Sequence, residues 1–230
     1  MKQSETILKD YYISYLSRQL SISGRKEVLS GHASFGIFGD GKEVAQVAMA
    51  KFFRKGDWRS GYYRDQTFML ATGMITPEDF FTQMYGGTGE DRDPNTTGRN
   101  FNNHFATPNV DTEGNWLDLT KQYNSAGDIS PTAGQMPRML GLGYASKLVR
   151  NSAEPLQFST FSDHGDEVVF GTIGEAGTSE GLFWETINAA CVLQVPVAVS
   201  VWDDGYGISV PVEKQTAKGS ISEALKGFAD

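Results

Sequence analysis

The chain has 230 residues, 39% of them hydrophobic, and a net charge of -8. That is enough for one domain with a proper core, and the acidic balance argues against nonspecific nucleic-acid binding. No apolar run is long enough to span a membrane, the N-terminus lacks a signal-peptide hydrophobic stretch, and the single cysteine, Cys191, excludes an internal disulfide or a multi-cysteine metal site, so the composition favours a cytoplasmic protein.

In chain order, residues 4–20 predict a helix, with Leu8, Tyr12, Tyr15 and Leu16 at near-helical spacing. Residues 21–41 are rich in Gly and Ser and read as a loop. Residues 42–53 read as a second helix carrying Val44, Val47, Ala48 and Lys51. Thr76-Pro77-Glu78-Asp79 is a helix start, with a Thr cap, Pro in the first turn and acids near the positive end. That helix should reach about Tyr85. Residues 86–128 are irregular and hold GGTGEDRDPNTTGRNFNNH. A polar loop of that length either has a task or is a surface excursion.

From Ser130 the order becomes regular. Residues 131–149 read as a helix, 167–173 as a strand, 179–193 as a helix, 196–202 as a strand and 220–228 as a helix. Cys191, in the run AACVLQV, reads as core packing. Both strands are nearly continuous apolar runs, as expected when both sheet faces are covered. The strand–helix–strand unit should be parallel and right-handed. The fold class is therefore α/β, three-layered, with a mainly parallel sheet.

Two acidic clusters follow the two strands. Glu175 and Asp204 can meet at the carboxyl ends of neighbouring parallel strands, where open α/β sheets place ligands. Two carboxylates beside a glycine-rich turn suit a divalent cation carrying a diphosphate. The turn Gly174-Glu175-Ala176-Gly177 should offer backbone N–H groups at a helix start, a ready anion site. The plain alternative is that both acids merely end strands in solvent.

The segment GEAGTSEGLFWETINAACVLQVPVAVSVWDDGYG resembles the thiamine-diphosphate motif of 2-oxoacid dehydrogenase E1 components. That motif opens with Gly-Asp-Gly or Gly-Glu-Gly and closes with Asn-Asn or Asp-Asn before Gly-Tyr. The following GISVPVEKQTAKGSIS is similar to E1 forms in which α and β parts are fused. The resemblance runs from about Phe35 onward and implies a thiamine-diphosphate-binding fold. It implies Mg²⁺ held by Glu175, Asp204 and the carbonyl of Tyr206, with Gly174, Glu175, Ala176, Gly177 and Asp204 at the cofactor. Tyr63 and Arg64, in Tyr62-Tyr63-Arg64-Asp65, take the place of the pair that holds the terminal phosphate. Ser130 and Thr132 correspond to cofactor contacts in a Ser-Ser-Pro stretch. In some relatives that loop binds K⁺; Ile129 and Gly134 stand here where hydroxyl residues would be, which weakens a potassium site. His104 corresponds to a histidine at the active-site entrance and is the candidate for substrate contact. His32 ranks lower, and His164 should be solvent-exposed.

Two departures matter. Asp204 replaces the usual Asn, adding an anion beside a diphosphate. Ala176 replaces the third Gly of the motif.

The implied activity is thiamine-diphosphate-dependent oxidative decarboxylation of a 2-oxoacid, branched-chain or pyruvate, with acyl transfer to lipoyl-E2. Glu175 and Ser179-Glu180-Gly181 lean toward the branched-chain members. Residues 1–41 form an N-terminal extension and 42–230 the diphosphate-binding domain, truncated at its C-terminus. The pyrimidine-binding (β) part is the expected partner, the isolated chain is expected to be inactive, and uncovered apolar surface should drive homo-oligomer formation. A noncatalytic binding or assembly module and a transketolase-like enzyme are the other readings.

Overall fold

The computed structural model describes residues 3–89, 92–152 and 160–228. It divides into two compact units. The first comprises Met1–Lys55, Tyr62–Leu117 and Ser125–Asp128; the second comprises Gly56–Gly61, Asp118–Asn124 and Ile129–Asp230.

The first unit is helical. Its first helix, α1 (Gln3–Leu29), is longer than the expected 4–20. Small residues that read as loop lie on its packing face: Ser21 and Gly24 are buried there, together with Ser17 of the expected helix. A Cβ on Gly24 would stand 2.5 Å from the Phe38 ring, so the absence of a side chain permits contact there. Helix α2 (Glu43–Ala50) is shorter than expected. Helix α3 (Gln66–Thr72) was not anticipated. Its residues Gln66 to Leu70 are all buried, so the half-polar periodicity that signals a surface helix is missing. Helix α4 (Pro77–Met84) opens where expected, and Thr76 and Asp79 cap each other's backbone in a full capping box.

Between α4 and Asp128 the first unit has no helix among its described residues. The loop is ordered by side chains instead. The buried Asp93 carboxylate accepts the backbone N–H groups of Asn95 at 3.0 Å, Thr96 at 3.2 Å and Gly98 at 3.1 Å. This is an Asp-centred turn network.

The second unit holds the sheet, β1 (Trp58–Ser60), β2 (Asn124–Ser125), β3 (Val169–Gly174) and β4 (Val197–Trp202), in the order β2-β1-β3-β4. Strand β3 pairs in parallel with β1 on one side and β4 on the other. Helix α5 (Gln135–Asn151) begins four residues later than expected, because 131–134 form a turn in which Ala133 has φ 62°. Helix α6 (Gly181–Leu193) follows a 3₁₀ turn at Ala176–Ser179 and connects β3 to β4. A two-stranded ribbon, β5 (Tyr206–Gly207) with β6 (Val210–Pro211), and the short helix α7 (Ile221–Leu225) come last. Ala133, Met136, Met139, Val169, Ile173, Phe183 and Ile221 make the core. A Cβ on Gly171 would lie 2.1 Å from Met139 Sδ, so α5 sits directly on the backbone of β3.

One core assignment is corrected: Cys191 is exposed. Helix α6 turns Phe183, Thr186 and Ala190 inward. Its neighbour in sequence, Cys191, is rotated about 100° from Ala190 and so faces away. The three-layer α/β fold class stands, with a parallel sheet core and flanking helices.

Candidate metal and diphosphate site

Register puts the two acidic turns side by side. Gly174, the last residue of β3, pairs with Trp202, the last of β4. The residues that follow, Glu175 and Asp203-Asp204, therefore leave the same edge of the sheet. Glu175 departs at φ -58° and is only 5% exposed. Its carboxylate accepts the backbone N–H of Asp204. Burial, and then the charges of Asp204 and Asp203, push the Glu175 carboxyl above its ordinary value of 4.5.

The second turn is built by its own side chains. Asp203 Oδ1 accepts the Gly205 N–H at 2.9 Å, and Asp204 Oδ1 accepts the Tyr206 N–H at 3.4 Å. Gly205 has φ 82°, and its carbonyl accepts the Val212 N–H. A side chain at 205 would be strained, which explains the Gly in Asp-Asp-Gly-Tyr. Asp204 and Tyr206 are exposed beside the buried Glu175.

The departure at Ala176 has a local counterpart. A Cβ on Gly207 would lie 2.5 Å from the Ala176 methyl. The methyl is thus accommodated against bare backbone of the ribbon. Thr132 is drawn to the same turn: a Cβ on Gly177 would meet Ile173 at 2.9 Å and the Thr132 methyl at 3.5 Å. Gly174 to Gly177, Glu175, Asp204, Tyr206 and Thr132 are thereby gathered within the second unit, and the exposed Ser130 lies two residues before Thr132. Where the potassium loop would need hydroxyls, the Ile129 side chain stands 2.7 Å from a Cβ placed on Gly134, which is an apolar contact. The helix start differs from expectation, since the four-residue 3₁₀ turn stands between Glu175 and α6.

Among the described residues no group of three or more His, Cys, Asp or Glu side chains is placed to hold a metal. Mg²⁺ with phosphate does not require one. It takes one or two carboxylates and leaves its other positions to phosphate oxygens and water. A buried carboxylate whose ionisation is opposed by a neighbouring acid is a donor set that a divalent cation relieves, so these residues fit the group.

The first unit gathers the other candidates. The Tyr63 ring lies 5.9 Å from the His104 ring and 5.7 Å from the Arg64 guanidinium carbon. Arg64 Nη1 donates to the Phe38 carbonyl at 3.0 Å, and the Arg64 carbonyl accepts from Gln46 Nε2 at 2.7 Å. His104 is 1% exposed. Its Nδ1 lies 3.2 Å from the carbonyl of Asn102. A carbonyl only accepts, so Nδ1 carries the proton. His32 and His164 are exposed, with side chains 68% and 93% accessible.

Sequence reasoning missed the residues that hold this cluster: Gln66, Gln83, Asp93 and Asn103. The Asp of Asp-Pro-Asn-Thr-Thr-Gly was a readable turn signal. The two glutamines gave none, because a buried amide looks like a surface one in sequence.

The chain is an α/β protein with an acidic pair beside a glycine turn at the carboxyl edge of its parallel sheet, where open sheets of this class place their ligands. Residues 13–229 match the Dehydrogenase E1 component family, and the chain belongs to that family. It is 31% identical over 200 residues to the 2-oxoisovalerate dehydrogenase subunit alpha of Bacillus subtilis, covering 86% of this chain and 51% of that protein. It is 27% identical over 226 residues to the pyruvate dehydrogenase E1 component subunit alpha of Acholeplasma laidlawii, covering 98% and 53%. It is 27% identical over 199 residues to the mitochondrial 2-oxoisovalerate dehydrogenase subunit alpha 1 of Arabidopsis thaliana, covering 86% and 35%. The chain spans about half the length, or less, of these relatives. No helix among the described residues is long and apolar enough to cross a membrane.

Proposed function

We propose that this chain supplies the metal and diphosphate half of a thiamine-diphosphate site in a 2-oxoacid dehydrogenase E1 component. The observation that carries the reading is Glu175, buried at the end of β3 and facing the turn of Asp204. Glu175 and Asp204 would give carboxylate oxygens to Mg²⁺, and Tyr206 its carbonyl. The Gly174-to-Gly177 turn, Ser130 and Thr132 would lie along the diphosphate. By the resemblance, Tyr63 and Arg64 take phosphate oxygens, Arg64 with the planar donor set that suits them. By the resemblance, His104, whose Nδ1 donates to the Asn102 carbonyl, is the residue at the substrate entrance. When bound, the cofactor supplies the carbon nucleophile and the electron sink needed for loss of CO₂ from a 2-oxoacid. The chain's carboxylates would hold the metal ion, whose charge offsets that of the diphosphate, and its turns would orient the diphosphate.

The relatives' names support a 2-oxoacid substrate, and two of the three name 2-oxoisovalerate. We assign the branched-chain class on that basis. A pyrimidine-binding β part would complete the active site, and a lipoyl-bearing E2 would take the acyl group.

Isothermal titration with thiamine diphosphate, with and without Mg²⁺, tests the reading. Mg²⁺-dependent binding that is lost in Glu175→Ala is the expected result. A folded wild-type chain that binds nothing under either condition would overturn it and favour a noncatalytic module.

A further inference from the structure

Three local costs converge on the residues around His104. Asn103, immediately before it, has φ 58°, in the left-handed region that side chains disfavour. Asn103 Oδ1 and Gln83 Oε1 are buried acceptors with no hydrogen-bond partner among the described residues. Costs of this kind persist where the surrounding structure over-determines them, and such places are often functional.

What these amides do is to grip the backbone on both sides of His104. Asn103 Nδ2 donates to the Ile37 carbonyl and, at 3.2 Å, to Gln66 Oε1. Gln66 is itself fixed, since its Nε2 donates to the Ser17 carbonyl at 2.9 Å and to Ser17 Oγ at 3.0 Å on α1. On the other side, Gln83 Nε2 donates to the carbonyl of His104 at 2.7 Å and reaches Asp93 Oδ1 at 3.5 Å. Asn102, whose carbonyl takes the His104 Nδ1 proton, is tied to Ile37 through both ends of its amide, at 3.2 and 3.3 Å. The ring has Tyr63 at 5.9 Å and Phe101 at 6.0 Å as neighbours, centroid to centroid. Each contact fixes backbone or ring; together they leave the imidazole one place to stand.

We propose that Asn103 and Gln83 are positioning residues that hold His104 in a single ring orientation, with Nδ1 protonated and donating to the Asn102 carbonyl. The functional sense of this rests on the reading of His104 as the substrate-facing residue. Asn103 serves because it tolerates the left-handed backbone and still carries two donors. Gln83 serves because it spans from α4 to the His104 carbonyl with Asp93 behind it. Neither residue need touch substrate.

Long-range ¹H–¹⁵N correlation spectroscopy of the cofactor-free chain tests this directly. There are three histidines; His104→Gln assigns the signal, and His32 and His164, exposed and each with Nδ1 beside a carboxylate, serve as internal references. The wild-type His104 should give one pattern, that of Nδ1–H. Asn103→Gly keeps the left-handed backbone and removes the clamp; Gln83→Met keeps length and removes the donor. Each folded variant, checked by circular dichroism, should lose the Nδ1–H pattern and show an average of both tautomers, with the reference histidines unmoved. A wild-type His104 that is already averaged or protonated at Nε2 overturns the proposal, and this needs no variant. Variants that melt lower but leave His104 unchanged would make both residues merely structural. The spectra use no metal or cofactor, so a failed calorimetric titration leaves this result standing, and the reverse also holds.

Discussion

At the scale of single residues, Glu175 carries the clearest pH signature. Its carboxyl lies above 4.5 in the folded chain, chiefly through burial and then through Asp204. The folded state therefore holds a proton that the unfolded state releases. The favourable contribution is fully present below 4.5, falls as pH rises through the interval up to the raised value, and is absent above it. Glu175→Gln should therefore melt at a higher temperature than wild type at pH 7 without metal. The gap should close at pH 4. Mg²⁺ with thiamine diphosphate should raise the wild-type midpoint and leave that of Glu175→Gln unchanged. A wild type more stable than the variant at pH 7 without metal would contradict this. The acidic pair itself was legible in the sequence, because the chain order strand, acid, helix, strand, acid fixes which edge both acids occupy. That Glu175 is buried while Asp204 is exposed was not legible, since it depends on how the turn after β4 folds back.

At the scale of elements, two substitutions test the local arguments. Thr76→Ala removes a side-chain acceptor from the α4 capping box and should lower stability by about 1 kcal/mol in urea unfolding. Gly171→Ala forces a methyl toward Met139 Sδ at the α5–β3 contact, and overpacking of this sort should cost about 1–3 kcal/mol. Gly171→Ala should have the larger effect, because Met139 is 0% exposed and has little room to move. The same contrast explains what sequence could reveal. Helix α4 advertises itself through Thr-Pro-Glu-Asp, and β3 and β4 through length and continuous apolar character. Strand β1 is three residues long and α3 is buried throughout, so neither repeats any pattern long enough to read. The C-terminal part of α1 was hidden by its serines and Gly24, whose smallness serves helix packing and mimics a loop. Cys191 was misassigned because α6 is apolar on more sides than it buries.

At the scale of the whole molecule, α1 presents an apolar face to solvent. Leu8 is 66% exposed, and Ile7, Tyr11, Tyr12 and Tyr15 each exceed half. Contiguous apolar patches of this kind mark association sites, and a symmetric pair of chains is the simplest closed form. Light scattering should show the mass rising toward a dimer with concentration, and Leu8→Glu with Tyr12→Glu should restore the monomer. A monomer at every concentration in wild type would remove α1 as an association surface.

Strand β4 has a further consequence, for how the chain refolds. It ends the sheet among the described strands, pairs on one side only, and has five half-buried residues of six. Six residues extend about 20 Å, long enough to template another strand, and no charged side chain interrupts them. Refolding from denaturant is thus a race between closing the core over β3 and recruiting a second molecule along that open margin. Yield should be high in dilute solution and fall steeply as the chain is concentrated, with the lost material gathering as β-rich aggregate.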